Sequence, residues 1–174
     1  MILEPIKFVG EIIQIGAVRM DGALKIEDTL DIMIKPIYYT VMHSRVEDLT
    51  GIDEADLEEG VSFSEAYKRF MEFCGEDFCL MTWGGDDIRI LTSNMTVHNL
   101  PFPAELKSYN LQRVYGKQIA KEKKQIALET AVEALGEPPY DAHNALNDAM
   151  STARVCRHLD LKQEKMTVRH FRQS

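Results

Sequence analysis

Apolar and polar positions change period several times along the chain, and each change marks an element. From Glu11 to Met20 and from Thr29 to Lys35 the residues are β-branched and apolar, and Asp21-Gly22 between them reads as a hairpin turn. The two runs predict antiparallel strands. Pro36 ends the second, and a long loop with short helical pieces follows to about Gly60, turning at Thr50-Gly51. Phe63, Ala66, Phe70 and Phe73 then fall on one face of a helix over Ser62 to Phe73, with Ser62 and Glu65 spaced as a capping box. Phe78 to Trp83 is a short apolar run suited to a buried strand, and it delivers the chain to Gly84-Gly85 and the pair Asp86-Asp87. A helix with its body at Ile88 to Met95 should begin there.

The second half repeats the alternation. Lys107 to Asn110 reads as a strand end leading into a helix, Leu111 to Tyr115, that Gly116 closes. Lys117, Lys121, Lys123 and Lys124 follow in a stretch that reads as a solvated helix face, or else as a rim that steers phosphates. Ile126 to Leu135 is an amphipathic helix ending at Gly136, and Pro138-Pro139 stiffens the loop beyond it. From there to Leu159, Leu146, Ala149, Ala153 and Cys156 recur at helical spacing, and small neighbours would let this helix lie close against a sheet. After Leu159 the chain is polar and basic (Lys162, Lys165, Arg169, Arg172), which reads as a final helix fraying into a tail from about residue 162. Strands alternating with helices predict an α/β fold in a single domain over residues 1–174.

Composition narrows the function. A chain of 174 residues with 45% hydrophobic and 28% charged content can bury a sizeable core. A formal charge of -8 argues against a protein that coats nucleic acid, while permitting a local basic rim around an acidic metal site. Cys74, Cys79 and Cys156 lack the paired spacing of a zinc site, and a reduced cytoplasmic protein accounts for them. No apolar run approaches a membrane span, so no membrane partner is expected. His43, His98, His158 and His170 lack partners at ligand spacing and read as structural or surface residues, and Trp83 as a core residue.

Chemistry gathers at two places. Two residues five apart on a continuous helix point well over a quarter-turn apart, so His143 can share a site with Asp148 only from the loop before the helix. That would hold an imidazole above a carboxylate fixed on a rigid element. The plain alternative is a solvated aspartate and a loop histidine. Asp86 and Asp87 could likewise cap their helix, yet a carboxylate at a strand end is also where α/β sheets place metal ligands.

The run H-N-A-L-N-D-A from His143, followed by a small residue, Thr152 and Ala153, resembles the third motif of the DEDDh 3′-5′ exonucleases. EIIQIGAVRMDG at Glu11 to Gly22, LTGID at Leu49 to Asp53 and TWGGDDIRIL at Thr82 to Leu91 resemble further family segments in the family's order. The resemblance implies a ribonuclease H-like fold, a mixed sheet flanked by helices. It implies hydrolysis at the 3′ ends of single-stranded RNA or DNA, releasing nucleoside monophosphates with two divalent cations, Mg2+ or Mn2+. It assigns His143 as the base and Asp148 and Asp87 as metal ligands, with Asp86 the neighbouring competitor.

The family's opening Asp-x-Glu strand is matched less well. Glu4 falls at the family's Glu, a metal ligand, and Ile2 stands where the Asp should be. Isoleucine cannot coordinate a hard cation. Either the first strand is short or missing, or the site has decayed into a nucleic-acid- or protein-binding module, or another acid such as Glu11 substitutes. A missing strand would expose a sheet edge and favour a homodimer.

Overall fold

The computed structural model describes residues 10–38 and 48–172. Strand β1 (Gln14–Met20) pairs antiparallel with β2 (Ile26–Met33) in a register that sets Gly16 opposite Asp31 and shifts at a bulge between Arg19 and Met20. The expected hairpin is present. Its turn is held by the Asp21 carboxylate, which accepts the N–H groups of Ala23 and Lys25, both at 2.9 Å. Alternation along β1 gives each face of this ribbon a helix. Ile15, Leu30 and Ile32 pack with Phe63, Ala66 and Tyr67 of α2 (Phe63–Cys74), which follows the short α1 (Glu54–Glu58). Ser62 caps α2 by accepting the Glu65 N–H at 3.2 Å.

A second sheet carries β3 (Cys79–Thr82), β4 (Glu105–Asn110) and β5 (Thr167–His170) in the order β3-β4-β5. β3 runs parallel to β4, and β5 antiparallel to it. Between β3 and β4 the chain crosses over through α3 (Asp86–Val97). After β4 come α4 (Leu111–Tyr115), α5 (Leu128–Ala134) and α6 (Ala145–Cys156). Leu111, Val114, Tyr115, Ile126, Ala131, Val132, Val155 and Cys156 are buried together in the larger of the two apolar clusters. No helix among the described residues is long and apolar enough to cross a membrane.

Two expectations are corrected. Gly116 does not end α4, because its backbone stays helical and the chain continues as a π-helical turn, Gly116–Ala120, until Lys121 adopts a left-handed φ of 55°. Polarity and basic charge after Leu159 predicted a fraying helix. The segment is instead a 3-10 turn, Leu161–Gln163, and then β5, whose ladder with β4 supplies backbone partners that sequence periodicity cannot reveal. Phe171 extends this pairing by donating its N–H to Ala104 O at 3.0 Å and stacks on Phe102, centroids 4.6 Å apart. Glu4 and Ile2, and with them the reading of the first strand, lie outside the described residues.

Candidate active site

α6 is assembled at its start by short-range hydrogen bonds. Asn144 is the N-cap and accepts the Asn147 N–H at 3.2 Å. His143, one residue earlier, has a left-handed φ of 67°, a conformation that histidine tolerates better than most side chains. That turn aims its N–H back at the helix, where it donates to Asp148 Oδ1 at 3.2 Å. The loop histidine and helical aspartate expected to share a site therefore meet through His143's backbone, and the imidazole stays exposed.

The first turn of α6 rests on β1. Ala145 N–H donates to Gln14 Oε1 at 3.2 Å, and Gln14 Nε2 donates to Asp31 Oδ1 at 2.8 Å. A Cβ at Gly16 would lie 2.2 Å from both Ala145 C and Leu146 N, so only glycine permits this approach. Further along, Ser151, Thr152, Ala153, Val155 and Cys156 are buried, which the run of small residues had led one to expect.

Asp86 and Asp87 open α3 behind the turn Gly84-Gly85. Gly85 is the N-cap, and no side chain caps the helix. Asp86 turns outward, pairs with Arg89 at 2.8 Å and leaves 79% of its side chain exposed. Asp87 behaves differently. Crowding by protein atoms raises its pKa above the usual carboxylate value even though the residue keeps a solvent-facing side, and the negative charges of Asp86 and then Asp148 raise it further. Burial also raises Asp148, against the lowering effect of the His143 N–H and ring, while Glu129 adds to the rise. Tyr140 is pushed up to about 12 by burial and by the charges of Asp148 and Glu129. Asp87 on α3 thus feels the charge of Asp148 on α6, after burial and Asp86.

The floor beneath Asp87 is braced by side chains. Gly84 N–H donates to Asn110 Oδ1 at 3.2 Å, and Thr82 Oγ1 donates to Gly84 O at 2.6 Å. Trp83 Nε1 and Gln112 Nε2 both donate to Ile126 O at 2.9 Å. Trp83 is therefore a supporting residue, its ring 5.7 Å from that of Tyr115. α3 is fixed by Asn94, 1% exposed, which accepts the Ile12 N–H at 3.1 Å and donates to Gly10 O at 2.8 Å and Ile90 O at 2.9 Å.

Glu11, the spare acid of the sequence, is already engaged: its carboxylate accepts the N–H groups of Ile37 at 2.8 Å and Tyr38 at 2.7 Å. Among the described residues no three acidic, imidazole or thiol groups form a metal-holding cluster. Asp87 and Asp148 nonetheless have the chemistry a hard cation takes: both are carboxylates whose burial disfavours the charged form, and a divalent ion would offset that cost. Sequence reasoning missed Gln14, Gly16 and Asn94. A glycine between strand residues was the available signal for Gly16.

Of the other described histidines, His158 meets Glu137 at 2.8 Å, the exposed His170 lies 3.8 Å from Glu105, and the His98 ring packs 4.8 Å from Phe63. His43 lies outside the described residues.

Comparison with known proteins bears on the fold and the family. The probable 3′-5′ exonuclease KapD of Bacillus subtilis is 24% identical over 154 residues, covering 87% of this chain and 74% of the relative. The 3′-5′ exoribonuclease 1 of Rattus norvegicus is 26% identical over 164 residues, and this chain spans about half of it, 47%. Among solved structures, a full-length 3′-exonuclease superposes with a TM-score of 0.77 at 26% identity, covering 92% of this chain and 75% of the other. The nuclease domain of 3′hExo, a DEDDh family member bound to rAMP, gives a TM-score of 0.77 at 24% identity, covering 98% of this chain and 90% of that one. The fold is accordingly ribonuclease H-like, a small mixed sheet flanked by helices. The exonuclease family model, RNase_T, matches residues 3–156, and with the third-motif histidine and aspartate meeting at the start of α6 the chain belongs to that exonuclease family.

Proposed function

We propose that the chain is a metal-dependent 3′-5′ exonuclease that removes nucleoside monophosphates from the 3′ ends of single-stranded RNA or DNA. The observation that carries this reading is the turn at His143, whose N–H donates to Asp148 Oδ1 at 3.2 Å at the start of α6, with Asp87 opening α3. Asp87, Asp148 and Glu4 would hold two divalent cations, Mg2+ or Mn2+, with Asp87 favoured over Asp86 because Asp86 is committed to Arg89. Bound there, the cations would supply an activated water and neutralise charge on the phosphate and the departing oxygen.

The protein's own groups do the rest. His143 is exposed beside Asp148, where its imidazole would accept the proton of the attacking water. Its backbone N–H keeps one oxygen of Asp148 in a fixed direction, which orients the carboxylate before substrate arrives. Cys74, Cys79 and Cys156 are all free thiols, which suits action in the cytoplasm.

A second reading follows from Ile2: a family member that cannot hold one of its cations would retain the fold and bind nucleic-acid ends or a protein without cleaving. One assay separates the two. End-labelled single-stranded RNA and DNA are incubated with Mn2+ and the parent, His143→Ala or Asp148→Ala. Mononucleotide release by the parent and its loss in both variants supports the nuclease. Absence of release by the parent, together with no rise in melting temperature on adding millimolar Mn2+, supports the binding module.

A further inference from the structure

Asp87 and Asp148 stand on different helices, and the two described sheets beneath them are not hydrogen-bonded to each other. Local capping fixes the shape of α6's first turn but not where that turn sits along β1. Gly16 lets the helix approach closely, and its bare Cα offers no polar hold against sliding. Gln14 supplies one. Its amide joins Ala145 N–H, at 3.2 Å, to the Asp31 carboxylate, at 2.8 Å. The amide's orientation is dictated by those partners, since a backbone N–H only donates and an ionised carboxylate only accepts. Ala145 opens α6, so its N–H is one the helix cannot satisfy internally. Asp31 is itself on β2, opposite Gly16, so Gln14 and the carboxylate that restrains it both belong to the ribbon.

We propose that Gln14 is a positioning residue: restrained by Asp31, it sets the register of α6 on β1 and thereby the place of Asp148 and His143 relative to Asp87. α3 is referenced to the same part of the chain, because Asn94 binds Gly10 O and Ile12 N just before β1. The start of β1 is then the common datum for both acid-bearing helices. The inference rests on the metal-dependent reading above for its catalytic consequence. A displacement of about 1 Å in such a site can cost on the order of a hundredfold in rate. The Gln14–Asp31 bond is exposed and the Gln14–Ala145 bond only partly buried, so their loss should perturb the site far more than the fold.

The test uses the full chain with Gln14→Ala, Gln14→Glu, Asp31→Asn and the double exchange Q14E/D31N. In Gln14→Glu the new carboxylate still accepts from Ala145 but faces Asp31 with like charge. In Q14E/D31N the Asn amide donates to the Glu, restoring the link with its polarity reversed. Expected are a fall in kcat of roughly tenfold or more with KM little changed for Gln14→Ala and Gln14→Glu, and a higher Mn2+ concentration for half-activation. Asp31→Asn, which keeps an acceptor for Gln14, and the double exchange should lie within about threefold of the parent. Hydrogen–deuterium exchange over residues 143–148 reads the seat without any activity: it should quicken in Gln14→Ala and Gln14→Glu and return to parental protection in the double exchange.

Parental kcat and exchange in Gln14→Ala, or a double exchange no better than Gln14→Glu in both readouts, would overturn the proposal. A parent that neither cleaves nor responds to Mn2+ defeats the nuclease reading instead, and the exchange data then decide the seat on their own. Should Gln14→Ala fail to fold, the comparison of Gln14→Glu with Q14E/D31N carries the same decision.

Discussion

Gly16 and Ala145 meet with no room for a side chain between them: a Cβ on Gly16 would stand 2.2 Å from Ala145 C and 2.6 Å from Ala145 O. These are backbone atoms at the start of α6, three residues before the Asp148 carboxylate, and they cannot rotate aside. The closeness of helix and strand at this point is therefore built into the site.

Gly16→Ala should accordingly push α6 off β1. Overpacking of this kind costs about 1–3 kcal/mol, which for a chain of this size lowers the melting temperature by roughly 2–12 °C. Exonuclease activity should fall more steeply than stability, because the shifted turn carries Asp148 and His143. Gly22→Ala is the control: nothing lies within 4 Å of its Cβ, and its melting temperature should stay near that of the parent.

The turn at His143 separates backbone from side-chain roles. With φ at 67°, replacement by alanine incurs left-handed strain of about 1 kcal/mol that glycine avoids. His143→Gly should melt above His143→Ala, and both should lose activity by about a hundredfold to ten-thousandfold. Thermal melts of the two side by side check it; equal melting temperatures would mean that the turn is not left-handed in solution.

Asp148 and Asp87 make the metal-free protein sensitive to pH. Both have folded pKa values above those of the unfolded chain, so the folded state holds more protons between the two values. Their contribution to stability is fully present below the ordinary carboxylate range and is lost as pH rises through the raised values. In chelator, Asp148→Asn should therefore gain in melting temperature relative to the parent as pH is raised from about 4 to about 7. Mn2+ should stabilise the parent and not the variant. A variant that tracks the parent across that range would show the carboxylate to be solvated normally.

Asn94 anchors α3 through three hydrogen bonds while 1% exposed. Asn94→Leu would leave Ile12 N–H and Gly10 O without that partner, at a cost of about 2–4 kcal/mol. Urea unfolding should show this as a lower midpoint. Because Asp87 rides on the same helix, Mn2+ affinity should weaken as well.

Much of this arrangement was legible in the residues in order. The hairpin at Asp21-Gly22, the Ser62 cap of α2 and the loop position of His143 before an amphipathic helix all rest on contacts between near neighbours, whose geometry periodicity and capping chemistry fix. The small residues of α6 also announced a close approach to a sheet.

What the sequence by itself could not determine was which surfaces meet. β5 exists because β4 had an edge to pair, and Gly116 continues a helix because its backbone stayed helical, whatever the residue's local preference. Asp86 and Asp87 are adjacent and chemically identical, and only the fold pairs one with Arg89 while crowding the other enough to raise its pKa. Gln14 reaches Ala145 across 131 residues of chain and Asn94 reaches Ile12 across 82. Interactions over such separations leave no period in the sequence, since their partners become neighbours only once the strands and helices have packed.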